Sequence, residues 1–434
     1  MGPKPITPSG SQAPRPRLDE QIDLGHPLAR LAVLIDWEEI ERSFGAHFAS
    51  TRGRPALSPR LVAGLLYLQH TFAASDEAVV NTWVENPYWQ HFTGETHLQT
   101  KAPINPSSLT RWRQRIGEAG VETLLKVTIE AARRGGFMKK ASLERVIVDT
   151  TVMLKAIAHP TDSRLLENSR QHLIKAARQY GLSIRQTYSR IAPRLAAQVG
   201  RYAHARQFKR MRGALRTLRS RVGRVHREVA RQVGQVCEPA KTKLSELLSR
   251  TERILAQRPK DKNKLYALHA PEVQCIAKGK AATPYEFGAK VSLATTHTEG
   301  FVVGMRSMPG NPYDGHTLPE TIEQVGILTE HKPTTAVVDK GYRGVEVKGV
   351  RILRSGQKRG ITRSLQAMIR RRSAIEPAIG HMKTDGRLAR NPLKGELGDA
   401  IHAVMCGAGH NLRLIIAKLR QLAAVSPLAP VRAA

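Results

Sequence analysis

The chain has 434 residues, 41% of them apolar and 24% charged, which is typical of a globular protein of two or three domains. Its 69 Lys and Arg outnumber its 36 Asp and Glu, and the net charge of +33 predicts a polyanionic partner such as nucleic acid. Three cysteines exclude a disulfide framework, the start is proline-rich and unlike a signal peptide, and polar residues interrupt every long apolar stretch, so we expect a cytoplasmic protein with no membrane contact.

The first third of the chain has a helical pattern. Residues 1–24 predict a disordered tail, and residues 25–140 a helical, DNA-binding N-terminal domain. A helix led by a serine N-cap is expected after Asn105-Pro106, with Leu109, Trp112 and Ile116 on its apolar face and Arg111, Arg113 and Arg115 between them. A short basic second helix suits the major groove of DNA, and an ordinary helix with a solvated arginine face is the alternative.

The pattern changes to strands at Val146. Three β-branched residues followed by Asp149 predict a buried strand with a carboxylate at its C-terminal end. Further strands are expected at Phe287–Thr295, Phe301–Met308, Thr335–Asp339 and Val347–Leu353, with a helix at Leu318–Thr329. Mixed strands and helices predict an α/β fold, with residues 141–163 and 266–420 forming its core and 421–434 a C-terminal tail.

Residues 164–265 separate the first predicted strand from the others. This segment has an apolar stripe from Phe208 to Val236 at heptad spacing, which predicts a helical, coiled-coil-like insertion. From Arg164 to Lys264 it carries 26 Lys and Arg against 6 Asp and Glu, which is most of the excess charge of the chain. The stripe itself is expected to pack on neighbouring helices, but so one-sided a charge favours contact with phosphates.

Three acidic residues occupy conspicuous places in this basic chain. Asp149 and Asp339 each close a predicted strand, and Glu376 follows 37 residues after Asp339. Carboxyl ends of strands meet at one edge of an α/β sheet, so the two aspartates are expected to converge there. Carboxylates without a His or Cys cluster suit Mg²⁺ or Mn²⁺, and two such ions can hold the attacking and leaving oxygens of a phosphoryl transfer.

Basic residues flank Glu376 on one helix face. Arg372 lies four residues before it and Lys383 seven after it, so they form either a surface ion-pair ladder or a grip on adjacent phosphates. Pro377 requires that this helix kink or begin here. Asp314 either borders the site or forms a turn, and His381 either reaches a phosphate or caps its helix, and we favour the turn or capping role for both. Lys278, Lys280 and Lys290 either follow a DNA backbone or are solvated.

Together these motifs resemble the DDE transposases of the bacterial insertion-sequence four and five groups, and the five-type most closely. Arg372-x3-Glu376-x6-Lys383 matches most of the Tyr-x2-Arg-x3-Glu-x6-Lys signature of these groups, with Ile369 at the position of the Tyr. The further matches are Val148–Thr151, Pro309–Asn311, Asp339–Gly344, Ile375–Lys383 and the N-terminal residues Trp83, Asn86–Trp89 and Phe92–Gly94. The resemblance extends over residues 25–420.

The resemblance implies a ribonuclease H-like mixed sheet that carries Asp149, Asp339 and Glu376 as catalytic metal ligands for Mg²⁺ or Mn²⁺. It implies hydrolysis at the terminal inverted repeats of an insertion sequence, followed by transfer of the freed 3′-OH to target DNA. Arg372, Lys383, Lys340 and Arg343 are then expected to contact DNA. We expect a homodimer on DNA, because two ends are processed together, acting in the bacterial cytoplasm at the nucleoid. The alternatives are an inactivated transposase-derived DNA-binding protein and a ribonuclease H-like nuclease that cuts without joining.

Overall fold

A computed structural model describes residues 15–48, 57–277 and 284–425. Its helices are α1 Leu18–Gln21, α2 Pro27–Leu34, α3 Trp37–Phe48, α4 Pro59–Thr71, α5 Asp76–Glu85, α6 Pro87–Phe92, α7 Pro106–Arg134, α8 Asp162–Gln179, α9 Ile191–His204, α10 Phe208–Arg231, α11 Ala240–Ala256, α12 Asp314–Thr329, α13 Arg363–Arg370, α14 Ile375–Thr384 and α15 Gly395–Val425. Its strands are β1 Arg145–Leu154, β2 Gln274–Ala277, β3 Tyr285–Thr296, β4 Val302–Met308, β5 Thr335–Val338 and β6 Arg351–Arg354. Two compact units result, one of residues 1–154 with 289–434 and one of residues 155–288.

The first unit begins with the helices that the sequence predicts, with two corrections. The tail expected over residues 1–24 is already folded in its described part, because Leu18 is fully buried and Arg17 bridges to His97. The N-cap of α7 is Asn105 rather than a serine, since the Asn105 side chain accepts from the Ser107 amide. The predicted apolar face of α7 is confirmed, and Leu109, Trp112 and Ile116 are all buried.

In the sheet of the first unit, β5 and β6 run parallel to β1. β5 pairs with β1 in the register Arg145↔Thr335 to Ile147↔Val337, and β6 pairs in parallel with β5. On the other side of β1 lies β3, which pairs antiparallel with β4. The predicted strands are confirmed, but β1 continues to Leu154, so Asp149 lies within the strand and not at its end. The last strand is shorter than expected, and β2 was not predicted.

The long helix α15 packs against α4, α7 and β4 in the core of this unit. Its span Gly395–Ala424 is long and apolar enough to cross a membrane by length and composition, contrary to our expectation that no stretch would qualify. In its most apolar window 83% of the residues are buried inside the protein, which is the behaviour of a core helix.

The second unit, residues 155–288, contains α8 to α11 and β2, which pairs antiparallel with the first residues of β3. α10 packs against α8, α9 and α11. The apolar stripe along α10 is buried at Leu218, Val222, Val225 and Val229, whereas Phe208 at its start is 55% exposed. Most arginines of α10 are exposed, so the stripe faces its own neighbours and the charge faces solvent.

Candidate active site

Asp149 and Asp339 are brought together by the pairing of β1 with β5. The register ends at Ile147↔Val337, and two further residues along each strand reach Asp149 and Asp339. Parallel neighbours lie about 4.8 Å apart, so the two carboxylates lie beside each other, where β5 ends and β1 continues, and their charges interact. Asp339 also caps the short 3₁₀ turn Lys340–Tyr342 by accepting from the Lys340 amide. The sequence predicts this convergence from strand position alone, and the structure brings the two residues together.

Arg372 links Glu376 to Asp149, one of the two aspartates. The Arg372 guanidinium donates to Asp149 Oδ2 at 3.0 Å and to Glu376 Oε1 at 2.6 Å. Arg372 lies in the 3₁₀ turn Arg371–Ala374, which Arg371 ties to the carbonyls of His297 and Thr298. The helix α14 begins at Ile375, as Pro377 requires, and Glu376 remains largely exposed. Arg372 therefore holds together two of the three predicted acids.

The electrostatics of the site favour a cation. Burial, together with the charge of Asp339, raises the pKa of Asp149, although the Thr150 amide and Arg372 work in the opposite direction. A cation between the carboxylates relieves this cost, and Arg372 already supplies one positive charge there. Hard carboxylate oxygens are the donors that Mg²⁺ and Mn²⁺ prefer. The residues of this site therefore fit a divalent metal ion.

A fourth acid, Asp314, lies beside the site, for which the sequence analysis favoured a turn or capping role. Asp314, the first residue of α12, accepts from Lys290 Nζ at 2.8 Å and from Thr150 Oγ1 at 3.0 Å. Lys290 is thus half-buried in an ion pair and is not the solvated or DNA-tracking lysine that we considered. Burial and the nearby carboxylates of Asp149, Asp314 and Asp339 raise the pKa of the Tyr342 hydroxyl. The pairing of Asp314 with Lys290 joins residues 24 apart in the sequence, so no local pattern identifies it.

The predicted DNA contacts are distributed over several surfaces. Lys340 and Arg343 are exposed directly after Asp339, and Lys383 is half-buried on α14 two turns after Glu376. Arg111 and Arg115 are exposed on α7, and the guanidinium of Arg115 lies over the Trp112 ring.

Arg113 does not belong with these residues, and its assignment as a DNA contact is wrong. Its side chain is only 3% exposed and donates to Asp76 Oδ1 at 2.6 Å and to Gln69 Oε1 at 2.6 Å. Arg113 lies two residues from each of the exposed Arg111 and Arg115, and because successive helical residues turn by about 100°, it points to the opposite, inner face of α7. It ties α7 to α4 and α5.

Several other candidates have ordinary structural roles. Ile369, at the signature Tyr position, packs against the core, and His381 pairs with Asp385 at 2.6 Å. Lys278 and Lys280 lie outside the described residues.

His70, His402 and Cys406 form a buried group whose ligand atoms lie within 4.8 Å of one another. Burial raises the pKa of the Cys406 thiol to about 12, and positive Arg387 and Arg413 lie close to it, so we interpret this group as core.

Comparisons with known proteins match both ends of the chain. Residues 16–115 match the family described as Transposase domain (DUF772), and residues 256–412 match the Transposase DDE domain. Asp339 and Glu376 lie within the second match, and Asp149 lies in the segment between the two. No solved structure matches.

A curated relative is similar to nearly half of this chain. The uncharacterized protein ORF8 in the nfe locus of Rhizobium meliloti is 51% identical over 194 residues, which are 45% of this chain and 93% of the relative. A DDE domain implies the ribonuclease H-like arrangement of strands, which agrees with the mixed sheet described above. The combination of a transposase N-terminal domain, a DDE domain and an acidic sheet edge identifies the chain as a member of the DDE transposases, enzymes that act on DNA.

Proposed function

We propose that this transposase binds the terminal inverted repeats of an insertion sequence of the four/five group and cleaves and joins DNA at Asp149, Asp339 and Glu376. The observation that carries the proposal is the link from Asp149 through Arg372 to Glu376, beside Asp339. Three acids held together under a basic surface would repel a phosphodiester unless cations stood between them. This arrangement suits metal-dependent phosphoryl transfer.

Mg²⁺ or Mn²⁺ held by the three carboxylates, as two ions in the active complex, would activate the attacking oxygen and neutralise the leaving oxygen. The chain itself positions the substrate. Asp149 and Asp339 are fixed by the pairing of β1 with β5, while Ile375 and Met382 anchor α14 in the core and so position Glu376. Arg372 is placed to move from the carboxylates to a phosphate oxygen once the cations neutralise the acids. Lys383, which lies on α14 with Glu376, would contact a neighbouring phosphate.

The DNA is held, in this proposal, by three basic surfaces. These are the turn after Asp339, the exposed arginines of α7, and the helical insertion after the first strand. The insertion contains 26 Lys and Arg and only 6 Asp and Glu. Two copies of the chain would bring two transposon ends together, and the protein would act at the bacterial nucleoid.

The two alternatives predict different products. A nuclease without strand transfer would release free 3′-OH ends in the presence of target DNA, and an inactivated transposase would bind DNA without cutting it under any metal. The intact acidic group favours an active enzyme, because a protein that only binds DNA gains nothing from carboxylates beside phosphates.

A cleavage assay tests the proposal. The substrate is a labelled duplex carrying the inverted repeats that flank the gene, incubated with Mg²⁺, Mn²⁺ or EDTA and with a target plasmid. We expect nicks at the repeat tips with either metal, none with EDTA, and joined products with the target. Nicks without joining would identify a nuclease, and metal-independent nicks would overturn the acid assignment.

The exposed arginines of α7 are expected to contribute directly to DNA binding. Changing Arg111 and Arg115 together to Gln should lower the slope of log affinity against log salt by about two, because each phosphate contact contributes about one unit. Fluorescence anisotropy at several salt concentrations measures this slope. Arg42→Gln is the matched control, since Arg42 is exposed and paired with Glu39. An unchanged slope in the double variant would place the DNA elsewhere.

A further inference from the structure

A small basic pocket lies next to Asp339. It has a volume of about 210 Å³ and is lined by Lys340, Arg343, Arg354, Ser355, Gly356 and Gln357. The parallel pairing of β5 with β6 creates it, because Val338 lies opposite Arg354 and the Ser355 amide donates to the Val338 carbonyl at 3.0 Å. The residues that follow the two strands, Asp339 and Ser355, are therefore about one strand spacing apart.

The lining of this pocket is positive and contains no carboxylate. Among the residues that the structure describes, the side chains of Lys340, Arg343 and Arg354 have no acidic partner, unlike Lys290 and Arg372 nearby. Three cations held close together repel one another, and an anion between them removes that repulsion. The charge of the pocket predicts an anionic ligand.

The polar lining and the backbone fit the same ligand. The Ser355 hydroxyl is buried and has no hydrogen-bond partner among the described residues. Gly356 has φ of +76°, and a Cβ at this position would lie 2.6 Å from Cε of Lys340. Glycine is favoured at this turn because it permits the left-handed backbone, and its lack of a Cβ lets the Lys340 side chain pass close to the turn. The pocket thus combines a hydroxyl donor with three cationic donors, which is the set that recognises a phosphate group.

We propose that this pocket binds a phosphate of the DNA strand that lies across the active site, close to the bond that is cut. This inference rests on the proposed function, because it assigns the phosphate to DNA. Arg354 and Ser355 then become DNA-binding residues besides Lys340 and Arg343. By holding one phosphate beside Asp339, the pocket would set the position of the scissile bond, since neighbouring phosphates along a strand have a fixed separation.

A scan with uncharged phosphates tests the proposal. Methylphosphonates are placed one at a time along a duplex of the flanking inverted repeat, and affinity is measured in EDTA so that no cutting occurs. For the wild type we expect one position near the cleavage point to lower affinity about tenfold. In the Arg354→Gln variant, a methylphosphonate at that position should cause no further loss of affinity, because the pocket no longer binds the charge of that phosphate. In the Ser355→Ala variant, the methylphosphonate at that position should lower affinity by less than about tenfold.

Arg351→Gln is the matched control, because Arg351 is exposed on the same strand and does not line the pocket. The methylphosphonate should still lower the affinity of this variant about tenfold.

If no position is coupled to Arg354 while the wild type still cuts in Mg²⁺, the pocket proposal is wrong and the proposed function stands. If the wild type never cuts, the function fails, whereas coupling in EDTA would still support the pocket. If inorganic phosphate binds in an Arg354-dependent way but no DNA position is coupled, the pocket serves a free phosphate and our assignment to DNA is overturned.

Discussion

Replacing Asp149 with Asn is expected to lower the rate of DNA cleavage by about 10³-fold or more, which corresponds to about 4 kcal/mol of lost transition-state stabilisation. The change removes the negative charge of a carboxylate beside Asp339 while keeping the size of the side chain. DNA affinity should hold or rise, because a negative charge facing phosphate is lost. Single-turnover cleavage of the labelled repeat duplex measures the rate, and anisotropy in EDTA measures the affinity.

The matched control for this experiment is Glu330→Gln, which removes one negative charge from an exposed side chain at the C-terminal end of α12. It should leave the cleavage rate within a factor of about two. Full cleavage by Asp149→Asn would show that the acids of this sheet edge do not carry the reaction. Loss of cleavage together with loss of DNA binding would indicate instead that the substitution damages the fold.

Replacing Arg113 with Ala is expected to reduce the free energy of unfolding by about 3 kcal/mol. The substitution leaves the carboxylate of Asp76, which is largely buried, without its cation, and it also removes the hydrogen bond to Gln69. The three residues belong to α7, α5 and α4, so the loss should loosen the N-terminal helices. Urea unfolding followed by circular dichroism measures the change.

The same ion pair predicts a pH dependence. Burial raises the pKa of Asp76, but the hydrogen bond and the charge of Arg113 outweigh it, so this pKa lies below its ordinary value of 3.8. A lowered carboxyl pKa stabilises the fold above that ordinary value, and the contribution is lost as the pH falls further. The difference between wild type and Arg113→Ala should therefore shrink in acid.

Arg111→Ala is the control for the stability of α7, because Arg111 is exposed two residues away and should change the free energy of unfolding by less than about 0.5 kcal/mol. The two arginines should behave in opposite ways. Arg113 should affect stability and leave the salt dependence of DNA binding unchanged, whereas Arg111 should affect the salt dependence only. Equal stability of the two variants would contradict the buried ion pair.

The sequence by itself determined the order of the main elements and the family. β-branched runs identify β1 and β5, and apolar spacing identifies α7 and α10, because these periods reflect which face of each element is buried. The motifs around Asp339 and Glu376 are local, so they can be recognised without knowledge of the fold. The sequence also predicts that Asp149 lies near Asp339, but the reason differs: Asp149 lies inside β1, and the parallel register with β5 places it opposite Asp339.

The tertiary structure alone decided the partners of the charged residues. The helical period places Arg113 on the buried face of α7 and Arg111 on the opposite face, but only the tertiary structure shows that Asp76 and Gln69 are the partners of Arg113. The pairing of Lys290 with Asp314 spans 24 residues, and that of Arg372 with Asp149 spans 223. Such contacts depend on how distant segments pack, which no local pattern contains. For the same reason the pocket between β5 and β6 appears only once both strands are paired.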